Sequence, residues 1–515
     1  MSSPAVAFSQ PLCIASHHPD PMSLTITEPH QTKAKDKDKD KAHARAKARA
    51  RAKAKTPTLD PEIRRDITAE IVNSPAHHRA LRRSNAAWFD QVWYDTYRKE
   101  YLVLNHNGDW FPVQDGTLRR HCKVRGMLTA SAKHEVASEF EEYATMVQSH
   151  RPVGYAGPLA GHCKGLRRVN GQMILVTTDP CLPQPMPGPW PVMHALIEGL
   201  FASPEHDQRV YLYGWLQCAI QALHAHWRKA GQVLVMAGPV KSGKSLFQKV
   251  ITQLLGGREC RPYGYMTGAT DFNADMFGCE HLRLDDENGN TDIKARRQFG
   301  ARIKELLYGH EQRLHGKHKD ALLLDPVWRM SVALNEEPEN MQVLPPLDDS
   351  LEDKLMILRA ARCPMPMPTG SLEEESAFWS TLMNELPHFT HFLLHEFEIP
   401  AALRDSRSGI RHWHHPELLQ SIRELSSEVR FLALVDRALL TLHLQECWEG
   451  TANDLEAQLL AIPDVRSEAQ RILYFPNACG TFLGRLARLC PDRVQHQNTR
   501  AQRGWKVLPP ESHRP

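Results

Sequence analysis

Gln232 to Ala237 (QVLVMA) is a short apolar run, Gly238 to Ser245 reads Gly-Pro-Val-Lys-Ser-Gly-Lys-Ser, and Leu246 to Leu255 (LFQKVITQLL) repeats apolar residues at helical spacing. A buried strand, a glycine-containing loop and a helix in that order constrain the fold more than any other feature of the chain. Glycines let the backbone close around an anion, so that successive N–H groups and the helix N-terminus point at it. The pattern G-x-x-x-x-G-K-[ST] is such a phosphate cradle, formed here by Gly238, Pro239, Val240, Lys241, Ser242, Gly243, Lys244 and Ser245. Lys244 is expected to reach the outer phosphates of a nucleoside triphosphate, and Ser245 to hold Mg²⁺. The bland alternative is a glycine turn with a solvated lysine, and the flanking strand and helix weigh against it.

With 515 residues and 42% hydrophobic residues, the chain is long enough for about three domains with real cores. No window approaches eighteen uninterrupted apolar residues, and the first twenty residues lack a basic start followed by an apolar core. Neither a membrane span nor a secretory signal is expected. The eleven cysteines are scattered singly, which reads as reduced thiols in a cytoplasm and gives no zinc site. The net charge of +3 is uneven, because Lys33 to Lys55 holds eleven Lys/Arg against three Asp. This alternating arm, within 1–60, contains nothing to bury and is expected to be disordered. It reads either as a solvated tail or as a non-specific nucleic-acid tether acting through counterion release.

Beyond the arm the chain divides into further regions. A small α/β region is expected at 61–179, with Trp88, Trp93 and Tyr97 spaced to share a helix face, as core rather than as a base-stacking platform. The proline-rich Pro180–Pro191 reads as a rigid connector. A helical prelude at 192–230 leads into a core at 231–362, and helices at 371–415 into a terminal module at 416–508. Helices at Leu418–Leu444 and Ala452–Leu460, then Gly480–Leu489 with Phe482, Leu483, Leu486 and Leu489 on one face, precede two strands joined by a basic loop. This order predicts a winged-helix-like domain. Its expected phosphate contacts are Arg485 and Arg488 on the helix and Arg500 and Arg503 in the loop, with a solvated basic face as the alternative.

A phosphate loop alone fits many enzymes, so the residues downstream must choose. His281 to Glu287 (HLRLDDE) is a strand ending in three acids, as expected where one carboxylate holds Mg²⁺ and its neighbour polarises a water. The register is open between Asp285 with Asp286 and Asp286 with Glu287. Val327 to Leu334 (VWRMSVAL) is a second apolar strand that delivers Asn335, an amide able to orient water beside a terminal phosphate. Between them, Gly309 to Asp320 (GHEQRLHGKHKD) is either a surface turn or a hairpin whose His315, Lys317 and Lys319 would grip a nucleic-acid backbone.

Phosphate loop, acidic strand end, basic hairpin and Asn-Glu-x-Pro strand end, in that order, resemble superfamily 3 helicases, closest to the helicase domain of phage primase-polymerases and D5-like primase-helicases. The resemblance spans about Trp88 to Leu508, with its specific motifs between Gly238 and Leu358. It implies an α/β fold of AAA+ type, a homo-hexameric ring, ATP with Mg²⁺, and single-stranded DNA as the partner, in replication of a phage, plasmid or integrated element. By position it makes Lys244 and Ser245 the loop pair, Asp285 to Glu287 the Mg²⁺ and water site with the metal expected on Ser245 and Asp286, Lys317 the pore hairpin and Asn335 the sensor. One departure stands out. The family often carries Asp-Arg before the next strand, the arginine reaching a neighbouring subunit's ATP, whereas this chain has Asp353-Lys354. Lysine lacks the bidentate fork of arginine, so Lys354, Arg359, Arg296 and Arg297 all remain candidates. No primase-like paired-aspartate strand precedes the connector, which makes a separate primase or polymerase an expected partner. The rival expectations are a DNA-dependent ATPase switch or packaging motor, and a non-catalytic DNA-binding initiator.

Overall fold

The computed structural model describes residues 74–130, 137–285, 293–309, 311–316, 321–348, 350–424, 426–441, 447–498 and 503–510, with only the backbone at 293, 441, 498 and 503. The expected basic arm lies outside these residues, as do Asp286, Glu287, Lys317, Lys319 and Arg500. Contacts divide the chain at Pro75, and the unit Ala76–Pro515 holds the sheets and the phosphate loop.

Strands β1 (Trp93–Asp95), β2 (Glu100–Leu104), β3 (Trp110–Val113) and β4 (Pro152–Val153) form a sheet in the order β3-β2-β1-β4. Helices Asp115–Val124 and Glu139–His150 cover it, burying Val92, Val103, Leu118, Phe140 and Val147. The second helix starts at a capping box, in which Ser138 and Glu141 exchange side-chain and backbone bonds. The expected shared helix face of Trp88, Trp93 and Tyr97 does not form. The local helix ends at Asp90, and Trp93 pairs across strands with Leu102, because cross-strand burial outweighs local spacing. Trp88 nevertheless packs as core, its indole N–H bonded to the Leu104 carbonyl. Strands β5 (Tyr155–Gly157), β6 (Gly165–Val169) and β7 (Gln172–Val176) form a smaller sheet in the order β5-β7-β6.

The proline-rich connector has no helix or strand before Pro191, where the next helix begins, yet it is pinned to the body of the protein. Cys181 N–H donates to the Gly256 carbonyl and Met186 N–H to that of Pro387.

At the centre lie five parallel strands: β8 (Val233–Gly238), β9 (Glu259–Cys260), β10 (His281–Asp285), β13 (Arg329–Asn335) and β14 (Leu355–Arg359), the short ribbon β11 (Gln312–Leu314) and β12 (Leu322–Leu324) coming between. Their spatial order is β14-β8-β13-β10-β9. Every residue of β8 is buried, as a parallel strand covered on both faces requires. One face packs on helices Pro191–Phe201, Arg209–His224, Lys244–Leu254 and Leu372–His391 through Leu196, Leu216, Phe247, Ile251 and Phe389. Helix Ile293–Tyr308 covers the other through Phe299, Ile303 and Leu306. Strand β8 is flanked by β13 and β14, both later in the chain, so the connections diverge at its end. In open parallel sheets such a switch point, at the carboxyl ends of the strands, is where ligands bind.

The terminal module has its own core of Phe431, Leu455, Phe482, Leu486 and Trp505. Strands β17 (Trp448–Gly450), β18 (Val494–Asn498) and β19 (Arg503–Val507) come after the two-residue strands β15 (Arg404–Asp405) and β16 (Gly409–Ile410), and form an antiparallel sheet in the order β17-β19-β18. Along the expected helical run at Leu418–Leu444, helix Pro416–Glu424 is followed by Ser427–Val435, where the Ser426 hydroxyl accepts from Val429 N–H, and by a π-helical turn at Asp436–Thr441, with residues 425 and 442–444 outside the described ones. Phe482, Leu483 and Leu486 are buried as expected, whereas Leu489, at the helix end, is 61% exposed.

Candidate active site

The phosphate loop leaves β8 at its carboxyl end and turns into helix Lys244–Leu254. Two glycines are needed for that turn. A Cβ on Gly238 would lie 2.0 Å from the Ala360 carbonyl, because the chain leaving β14 runs against the loop. Gly243 sits at φ 103°, a left-handed conformation that a side chain disfavours. Lys241 takes φ 60° as well, and Val240 stands exposed at the loop tip.

Lys244 is nearly buried, and its ammonium donates to the carbonyls of Gly238 (2.9 Å) and Pro239 (2.7 Å) and to the Ser242 hydroxyl. A fourth contact, at 3.4 Å, reaches Oδ1 of Asn335 at the end of β13. The register Asn335↔Gly238 places the amide beside the loop's first residue. The Ser245 hydroxyl donates to Oδ1 of Asp285 at 2.8 Å. Lys244, Ser245, Asp285 and Asn335 thus converge at the ends of three adjacent strands. An ammonium in a ring of exchangeable carbonyls, a helix N-terminus, a hydroxyl and a carboxylate are the donor set that a Mg²⁺-bound nucleotide triphosphate needs. Ser245 meets Asp285, while Asp286 and Glu287 lie outside the described residues, so both registers of the three acids stay open.

Behind Asp285 lies a buried polar network that the motifs do not announce. Arg283, two residues earlier on the same face of β10, donates to Oδ2 of Asp285 at 2.6 Å and to both oxygens of Glu259 at 3.0 and 3.1 Å. Its side chain is 4% exposed. Gln248 on the phosphate-loop helix donates to the Leu284 carbonyl and to the Ser331 hydroxyl. His281 bonds Thr252 through Nδ1 and Ser331 through Nε2, both at 2.8 Å. Burial holds its imidazole well down, at about 3, so the ring is neutral. The signal for Arg283 was present in the sequence as a charge between the two leucines of β10.

The candidate finger residues are all engaged within the chain. Lys354 is 9% exposed, paired with Asp353 at 2.6 Å and laid over the Tyr308 ring. Arg359 bonds Glu336 (2.9 Å) and Glu417 (2.6 Å), a hydrogen bond to Glu336 holding its guanidinium above its usual pKa. Arg296 is buried and donates to the Leu344 carbonyl, and Arg297 lies over the rings of Tyr474 and Phe475 in the terminal module. Strands β11 and β12 pair antiparallel, and His315, directly after β11, contacts the ring of Phe272, while Lys317 and Lys319 lie outside the described residues. In the terminal module Arg485 is salt-bridged to Glu428, while Arg488, in the last turn of the same helix, donates from Nε to the Gly484 carbonyl at 3.4 Å.

No family model and no curated protein matches the chain. Among solved structures, it is similar to the apo form of the NrS-1 C-terminal region, at 10% identity and a TM-score of 0.47, over 81% of this chain and 96% of that one. A JCV helicase structure matches at 14% identity and a TM-score of 0.23, over 46% of this chain and 66% of that one. The SCCmec type IV Cch helicase matches at 8% identity and a TM-score of 0.27, over 77% and 72%. The chain itself is a mixed α/β protein built around a parallel sheet, and among the described residues no helix is long and apolar enough to cross a membrane.

Proposed function

We propose that this protein is an ATP-dependent DNA helicase of the superfamily 3 type, acting as a ring in the replication of a mobile element. The observation that carries the reading is the convergence of Lys244, Ser245, Asp285 and Asn335 at the switch point of the sheet. Lys244 and the loop N–H groups would bind the outer phosphates, and in doing so Lys244 would exchange its carbonyl partners for phosphate oxygens. Ser245 and Asp285 would hold Mg²⁺, which supplies charge neutralisation at the leaving and transferred phosphoryl groups. Asp286 would accept a proton from the attacking water, and Asn335 would orient that water. The hairpin between β11 and β12 would carry Lys317 and Lys319 to single-stranded DNA, and the terminal module, with its helix and antiparallel hairpin, would act as a winged helix. Unwinding of a forked duplex by the wild type and its loss in Lys244→Ala test the reading. ATP hydrolysis without strand separation would replace it with a DNA-dependent switch.

A further inference from the structure

Asp285 has two oxygens and they are not equivalent. Oδ1 accepts from Ser245, while Oδ2 accepts from Arg283. The carboxylate is 12% exposed and cannot rotate without breaking one of these bonds. Arg283 is in turn held by both oxygens of Glu259, and its Nε faces Oε1 of Gln248 at 3.3 Å, so the phosphate-loop helix and strands β9 and β10 all orient one guanidinium. Glu259 is fixed from its other side by the Thr252 hydroxyl at 2.6 Å. The three charges are arranged in a line: carboxylate, guanidinium, carboxylate. Arg283 and Asp285 are shielded from water and Glu259 is 31% exposed, so the inner two charges act on one another and on a bound cation more strongly than they would at the surface.

We propose that Arg283 is the positioning residue of the metal-binding carboxylate, and that Glu259 and Arg283 together set how strongly the site holds a divalent cation. Arg283 occupies Oδ2 and leaves Oδ1 to face Ser245. Its positive charge opposes a cation at Asp285, and Glu259 offsets that opposition. This rests on the reading of Ser245 and Asp285 as the Mg²⁺ site.

The two charges make predictions of opposite sign, which a merely structural role does not. Equilibrium binding of a fluorescent ADP analogue to the full chain is measured in EDTA and then across a Mg²⁺ titration, together with the melting temperature. Arg283→Met removes a positive charge and is expected to lower the half-saturating Mg²⁺ concentration about threefold or more, while Glu259→Gln leaves Arg283 uncompensated and is expected to raise it by a similar factor. Binding in EDTA stays within about twofold in both, since neither residue touches the loop. Arg283→Met also lowers kcat about tenfold through the lost orientation of Asp285, and Arg283→Lys, which keeps the charge but not the fork, recovers part of it. Should Arg283→Met fail to fold, Arg283→Lys and Glu259→Gln still decide: a Glu259→Gln protein with wild-type Mg²⁺ dependence overturns the proposal. So do shifts of the same sign in both variants, or a loss of EDTA-state binding that tracks the melting temperature. If the wild type itself binds the nucleotide with no Mg²⁺ dependence, the reading of the site fails rather than the role of Arg283 within it.

Discussion

The Ser245 hydroxyl donates a 2.8 Å hydrogen bond to Oδ1 of Asp285, forty positions further along the chain. The bond joins the first turn of the phosphate-loop helix to the end of a strand separated from β8 by β13. Ser245→Ala and Asp285→Asn are therefore expected to reduce ATP hydrolysis about a hundredfold, with nucleotide binding in EDTA preserved. Lys244→Ala is expected to lose both binding and hydrolysis. Steady-state ATPase rates set beside equilibrium binding check this, and a Lys244→Ala protein with a normal rate would remove the pocket from the mechanism.

The proposed site assigns the acids. If Asp285 holds the metal with Ser245 and Asp286 acts on water, Asp286→Asn is expected to give a protein that binds ATP without turning it over. Glu287→Gln is expected to retain most activity. The reverse result, seen in single-turnover measurements, moves the register by one.

His281 gives stability a pH dependence. Its imidazole, near 3 in the folded protein because of burial, lies below the unfolded value of about 6.5, so the unfolded chain takes up the proton first as pH falls. Its contribution to stability is complete above pH of about 6.5 and declines by up to about 1.4 kcal/mol per unit as the pH falls toward 3. Melting temperatures at pH 7.5 and 5 should differ, and the difference should shrink in His281→Gln; an unchanged difference assigns the acid sensitivity to other groups.

The two helix arginines of the terminal module should separate. Arg485→Ala leaves the mostly buried carboxylate of Glu428 unpaired, at a cost of about 1 to 2 kcal/mol in this partly exposed setting, with little change in DNA affinity. Arg488→Ala should leave stability unchanged and weaken DNA binding, most visibly at low salt. Denaturant melts and fluorescence anisotropy on single- and double-stranded DNA read the two effects, and a DNA defect in Arg485→Ala without a stability loss would reverse the assignment.

The hairpin should couple hydrolysis to movement. Lys317→Ala is expected to abolish unwinding of a forked substrate at saturating ATP while basal hydrolysis stays within about twofold of wild type. Normal unwinding would detach the hairpin from the motor.

Much of the site was legible in advance because its parts are local. A glycine loop between an apolar run and a helical run is written in consecutive residues, and so are a strand ending in acids and a strand ending in Asn335. Pairings were not legible. Trp93 reads as helical by its spacing from Trp88 and Tyr97, but its partner is Leu102 on the next strand. Lys354 and Arg359 read as candidate fingers for a neighbouring subunit, and within the chain Asp353, Glu336 and Glu417 pair with them.

By itself, then, the sequence determined that a glycine-containing loop, an ammonium and a hydroxyl lie together, because Gly238 to Ser245 succeed one another along eight positions and need only local backbone geometry. Only the tertiary structure decided which acid faces Ser245, and that Arg283 and Glu259 stand behind it. Those contacts depend on the order in which β9, β10 and β13 lie beside β8, an order set by burying both faces of the sheet at once and by no stretch of chain alone.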